Sequence, residues 1–269
     1  MIKLYCTHEN EKLQIEYEVF NFPAGEVHFK IKPPTFPFTA RNLSTIIFIV
    51  DIESCQDLIL LKLLSDYFIS YGREIIIDLI YTPYSRQDRK TSYYEPFSFK
   101  TFTEILNSCH FSKVTIHDPH SDVIPALIKN CEVMTRLNII MKYCNDILTE
   151  DSIIVSPDSG AMKINNEIAH NFNFNHISAT KVRDVQTGEI SHTELHTSLD
   201  LKDKRLIILD DICDGGRTFI ELAKVLKKRE PKEIHLFTTV GLYTQGLEVL
   251  DKHFDSINCF YRRIRNEQL

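Results

Sequence analysis

The sequence lacks the features that would direct it to a membrane, a secretory route or a nucleic acid. No stretch approaches the roughly 20 apolar residues that a bilayer-spanning helix needs. The N-terminal MIKLYCTHENEKLQ has neither the basic start nor the apolar run of a signal peptide. Positive charge is not in excess: 31 Lys and Arg stand against 37 Asp and Glu, a net of −6 at pH 7. Any phosphate must therefore be held by a local site and not by a general field. The seven cysteines include no CxxC pair and are odd in number, so they read as reduced thiols in a reducing compartment. Low-complexity stretches and internal repeats are also missing. These absences lead to the expectation of a soluble, cytoplasmic protein with small-molecule partners and neither nucleic acid nor membrane among them.

What is present is the composition of an ordinary globular chain, 43% hydrophobic and 25% charged over 269 residues, which exceeds one typical compact domain. Short apolar runs rich in Ile, Val and Leu recur at 45–50, 74–80, 113–118, 152–157, 205–211 and 233–239. Continuous runs of this kind suit a parallel sheet covered on both faces. Helix-like stretches such as DLILLKLLSDYFISYG, EPFSFKTFTEILNSC and RTFIELAKVLKKREP lie between them, so the expected fold class is α/β. Gly72 and Pro231 read as helix stops, and KPPTFPF at 32–38 as an irregular connection. Length and pattern divide the chain into an N-terminal domain, 1–137, and a C-terminal domain, 138–269.

The sharpest local signal is RLIILDDICDGGRTFIELAKVL, where a strand runs into two acidic residues, a Gly-containing loop and a helix. Ligands of open α/β sheets bind beyond the carboxyl ends of strands, and a helix N-terminus offers N–H groups to an anion. Asp210 and Asp211 can accept hydrogen bonds from a vicinal diol. The amides of Gly215 and Gly216 and the Thr218 hydroxyl can cradle a phosphate. A strand end with an Asp cap and a Gly turn fits the same spacing. Cys213, inside this loop, reads as a small buried thiol.

The stretch ILDDICDGGRT resembles the phosphoribosyl-binding loop of phosphoribosyltransferases, and further stretches in order narrow the resemblance to the ribose-phosphate pyrophosphokinase (PRPP synthetase) family. YTPYSRQDRK is similar to that family's PYARQD segment, IHDPHS and VSPDSGAMK to its DLH and VSPD segments, and ATKVRDVQTGEI to its catalytic loop. FNFPAGEVHFKI is similar to its FxDGE segment. The resemblance spans about residues 20 to 240 and implies two tandem phosphoribosyltransferase-like domains, each a largely parallel sheet flanked by helices. It also implies transfer of the β,γ-pyrophosphoryl group of ATP to the anomeric hydroxyl of ribose 5-phosphate, giving PRPP and AMP. Arg86, Gln87 and Asp88 would bind ATP, with Phe22 and Glu26 contributing to an adenine pocket shared across subunits, hence at least a homodimer. His120 and Asp158 would hold the Mg²⁺ of Mg-ATP. Lys181 and Arg183 would be catalytic, two cations on one side of an extended segment facing the transferring group. The KVRDVQTGE loop would close over the site. Asp210, Asp211, Asp214, Gly215, Gly216, Arg217 and Thr218 would hold the ribose phosphate.

Two departures stand out. Ala24 occupies a position where the family usually has Asp. The phosphate loop carries Gly215 in place of a Thr and Arg217 in place of a Gly. An Arg there can crowd or clamp a terminal 5-phosphate, or pair with a second phosphate of a larger acceptor such as ADP-ribose. A PRPP-consuming phosphoribosyltransferase and a non-catalytic associated subunit are the competing classes. The RQD segment and the Lys181/Arg183 pair speak against the first, and retention of Lys181, Arg183, His120 and Asp158 against the second.

Overall fold

The computed structural model describes residues 1–8, 11–33, 45–143, 148–183 and 190–263. The chain divides into two compact units, Met1–Met134 and Thr135–Leu269. Most of KPPTFPF and the TG of the catalytic-loop stretch lie outside the described residues. Among the described residues, no helix is long and apolar enough to cross a membrane.

The first unit contains β1 (Ile2–His8), β2 (Glu11–Ile15), β3 (Tyr17–Asn21), β4 (Val27–Ile31), β5 (Thr45–Asp51), α1 (Cys55–Ser70), β6 (Glu74–Tyr81), α2 (Ser98–Ser108), β7 (Lys113–His117), α3 (Val123–Leu127) and β8 (Cys131–Met134). Its main sheet runs β2-β1-β5-β6-β7-β8. The pairings from β5 to β8 are parallel, as helical crossovers require, whereas β1 is antiparallel to both its neighbours. Alternation sets the buried faces: Ile46, Phe48 and Val50 of β5 and Ile75, Ile77 and Leu79 of β6 are buried. Leu61, Leu64 and Phe68 of α1 close over this core, with the Phe68 ring edge-on to Phe48 at 5.9 Å. Helix α1 starts at a capping box, the Ser54 hydroxyl accepting from the Asp57 amide while an Asp57 carboxylate oxygen accepts from the Ser54 amide at 2.9 Å. It stops where Gly72 takes the left-handed φ of +68°.

The second unit contains α4 (Arg136–Tyr143), β9 (Ser152–Ser156), α5 (Met162–Phe172), β10 (Asn175–Arg183), β11 (Ile190–His196), β12 (Arg205–Cys213), α6 (Arg217–Lys227), β13 (Glu233–Gly241), α7 (Glu248–Asp251) and β14 (Ser256–Arg262). Its sheet runs β11-β10-β9-β12-β13-β14, parallel except at β10/β11. Every residue of β9 is buried, as its central place demands. The chain leaves β9 to one side through β10 and returns to the other side at β12. The carboxyl ends of β9 and β12 therefore border a topological switch point, where open α/β sheets bind ligands.

The six apolar runs are all strands, and both main sheets are largely parallel, giving the expected α/β class. The strands at 113–118 and 152–157 end one residue early, and Asp118 has φ +41°. Strands β1 to β4 do not show as continuous runs. In β1 the side chains described at 2–6 alternate, with Ile2, Leu4 and Cys6 buried, and β3 is exposed at four of its five positions.

Candidate active site

In the second unit, β12 delivers Asp210 and Asp211 to the switch point. Asp210 Oδ1 accepts from the Asp211 amide at 3.0 Å, and the Asp211 side chain is buried. Burial, then the neighbouring Asp211, push the Asp210 carboxyl well above its ordinary value; Arg136 opposes this and Asp158 adds to it. Burial also pushes the Cys213 thiol up to about 12, so this cysteine is a protonated packing group with little nucleophilic character.

The loop between β12 and α6 turns at Gly216, with φ +78°, where a Cβ would stand 2.7 Å from Leu250 Cδ2. Only glycine meets both conditions without strain. Helix α6 has no side-chain cap, so its first N–H groups face the loop without intrahelical acceptors. Arg217 is the first residue of α6 and is exposed, and Thr218 beside it is half-buried. The loop after β13 braces this turn: the Thr244 hydroxyl donates to Asp214 Oδ1 at 2.7 Å, and the Leu242 amide to the Cys213 carbonyl at 2.8 Å. Thr244 was not legible as a site residue because its contact spans thirty residues, |i−j| = 30.

Asp158 follows β9. Its Oδ1 accepts from the Gly160 amide at 3.1 Å and the Ala161 amide at 3.4 Å, which fixes the carboxylate at the entry to α5. Lys181 and Arg183 lie in β10. The β10/β11 register shifts after Val182: Val182 pairs with His192 but Arg183 with Ile190, which leaves Ser191 as the extra residue on β11. The spacing along β10 is therefore uninterrupted between the two cations. The second unit thus gathers Asp158, Asp210, Asp211 and the 214–218 loop around one sheet end.

In the first unit, residues 86–88 follow β6 and His120 follows β7, and these two strands are parallel neighbours. Arg86, Gln87 and His120 are exposed, whereas Asp88 is half-buried. The Gln87 amide donates to the Tyr84 carbonyl at 2.8 Å, and Tyr84 takes φ +60°. Ser85 is buried, and its hydroxyl has no hydrogen-bond partner among the described residues. Phe22 and Glu26 sit in the turn between β3 and β4, where the Phe22 amide donates to the Glu26 carbonyl at 2.8 Å and Gly25 supplies φ +96°. Phe22 is 49% exposed. Its ring lies 5.6 Å from Phe20 and 5.4 Å from His28, a small aromatic cluster at the surface. Among the described residues no group of three or more His, Cys, Asp and Glu is placed to hold a metal ion.

Residues 134–264 match the phosphoribosyl transferase domain family. The chain is 27% identical over 248 residues to the ribose-phosphate pyrophosphokinase of Pyrococcus furiosus, covering 89% of this chain and 83% of that protein. It is 27% identical to the enzyme of the same name from Mycoplasma genitalium, covering 85% and 68%. Among solved structures, phosphoribosylpyrophosphate synthetase from Mycobacterium smegmatis superposes with a TM-score of 0.73 at 21% identity, covering 89% of this chain and 78% of that one. That last likeness is one of fold.

Proposed function

We propose that the chain, which is similar over most of its length to ribose-phosphate pyrophosphokinases, transfers the β,γ-pyrophosphoryl group of ATP to the anomeric hydroxyl of ribose 5-phosphate. The observation that carries this reading is the end of β12. There an acidic pair, Asp211 buried and Asp210 partly buried, runs into a glycine turn and an uncapped helix start at the switch point. Asp210 and Asp211 accept hydrogen bonds from the two ribose hydroxyls, and the 214–218 loop with the start of α6 takes the 5-phosphate. The anomeric oxygen attacks the β-phosphorus, the bond from that phosphorus to the α,β-bridging oxygen breaks, and AMP leaves with that oxygen. Lys181 and Arg183 offset the charge that develops on the transferring group.

ATP is assigned to residues 86–88, with the Phe22 and Glu26 turn closing the base of a partner copy; assembly into at least a dimer is part of the proposal. By the family resemblance, His120 and Asp158 would each supply a ligand to the Mg²⁺ of Mg-ATP, the carboxylate, the nucleotide phosphates and water being the oxygen donors a hard cation prefers. When bound, it neutralises phosphate charge.

A second acceptor is favoured by one observation. Arg217 stands exposed at the first position of α6, where it can meet a second phosphate of ADP-ribose, which offers the same anomeric hydroxyl. AMP release from Mg-ATP, compared with ribose 5-phosphate and with ADP-ribose as acceptor and no base added, tests both. Turnover with ribose 5-phosphate in front is the expected result. ADP-ribose in front, with that preference lost in Arg217→Gly, would transfer the assignment to the diphosphate. AMP release with neither acceptor would sink the reading.

A further inference from the structure

We propose that Arg136 is a positioning residue for acceptor binding, a buried guanidinium that holds the Asp210 carboxylate from inside the protein and is itself fixed by Asn165. The inference rests on the proposed function, which puts the ribose diol on Asp210 and Asp211. The Arg136 side chain is 4% exposed, with Nη2 3.9 Å from Asp210 Oδ1. That distance is too long for a direct hydrogen bond, so the guanidinium acts on the carboxylate through its charge.

What fixes the guanidinium is a chain of buried polar contacts. Arg136 Nη1 donates to Asn165 Oδ1 at 2.8 Å. Asn165, with no exposed surface, donates from Nδ2 to Ser156 Oγ at 3.1 Å and to the Leu209 carbonyl at 2.9 Å. Ser156 Oγ pairs in turn with His176 Nε2 at 2.8 Å. Helices α4 and α5 and strands β9, β10 and β12 are thereby tied to one guanidinium directly behind the acidic pair.

A buried cation is costly unless it is compensated, and the compensation here is the switch-point carboxylates. Among the described residues, the charged groups that act on Asp210 are Asp211 beside it, Asp158 from beyond β9 and Arg136 from α4, and a further titratable neighbour, Cys213, is protonated. Among the described residues, two carboxylates work against ionisation of Asp210 and Arg136 works for it. A protonated Asp210 would donate where the diol requires an acceptor. Arginine suits the task because its planar fork meets Asn165 with one arm while the other points to Asp210.

The test is steady-state AMP release by the full chain at saturating Mg-ATP, across pH, for wild type, Arg136→Met and Arg136→Lys. Arg136→Met is expected to raise the KM for ribose 5-phosphate about tenfold, the scale of one lost charge-assisted interaction. The KM for ATP should hold, and the acid limb of kcat/KM should move to higher pH. Arg136→Lys should keep the limb near wild type but not the KM, because it retains charge without the fork. A Met variant with a lowered melting temperature but an unchanged acceptor KM and pH profile would overturn the proposal. If the Met variant does not fold, an unchanged acceptor KM in Arg136→Lys would overturn it equally. Should wild type release no AMP at all, the functional reading fails separately, and the ¹³C carboxyl titration of Asp210, assigned by its loss in Asp210→Asn, decides. An upward shift in Arg136→Met that is absent in Arg136→Lys supports the role of Arg136, and no shift in Arg136→Met removes it.

Discussion

Replacing Lys181 with alanine is expected to lower kcat for AMP release by about 10²–10³-fold, the usual loss when one preorganised group facing developing charge is removed. The KM values for ATP and acceptor should change little, because the interaction strengthens only as the phosphoryl group transfers. Strand β10 brings Lys181 and Arg183 through two residues of regular backbone, with the register irregularity taken up by Ser191 on β11. An Arg183→Ala variant should lose activity to a similar extent, and the double variant by less than the product of the two, since in the proposed mechanism both cations act on one charge. The measurement is single-turnover AMP formation at saturating substrates. Full activity in Lys181→Ala would remove Lys181 from the mechanism.

Gly216→Val is expected to raise the acceptor KM by roughly 100-fold with ATP binding intact. A left-handed backbone costs an L-residue about 1–2 kcal/mol. The added Cβ would also stand 2.7 Å from Leu250 Cδ2, so the turn must shift. Each charge-assisted hydrogen bond to the 5-phosphate that is lost in the shift costs about 1.5–3 kcal/mol. Pairing Gly216→Ala with Leu250→Ala separates the two causes, because the smaller neighbour relieves the clash and leaves the backbone cost. An acceptor KM unchanged in Gly216→Val would show that the phosphate lies elsewhere.

The parts of the fold that could be read from sequence are those whose physics is local. Strand β12 is a continuous apolar run because both its faces are covered, and the Asp-Asp, Gly-Gly and helix signals follow it directly. The cap of α1 was equally local, with Ser54 and Asp57 three residues apart, although it carries no chemistry. Strand β3 escaped because its side chains are mostly exposed, which erases the hydrophobic pattern. Arg136 escaped for a different reason: it stands in TRLNIIMKY, which reads as the basic start of an amphipathic helix. Its partner Asn165 reads as one of the polar residues of α5. Only the tertiary fold turns those two unremarkable side chains into a buried pair behind Asp210.

On the proposed reading, Asp210 also ties ligand occupancy to the proton balance of the solution. Burial and the neighbouring Asp211 hold its carboxyl well above the ordinary value, whereas a diol donating to it favours the ionised form. Acceptor binding then lowers the proton affinity of the carboxyl, and protons pass to the buffer. The heat of binding should therefore vary with the ionisation enthalpy of the buffer chosen, and Asp210→Asn should remove that dependence. Calorimetry in two buffers of unlike ionisation heat reads this directly, and a heat that is the same in both would mean that Asp210 already stands ionised before the sugar arrives.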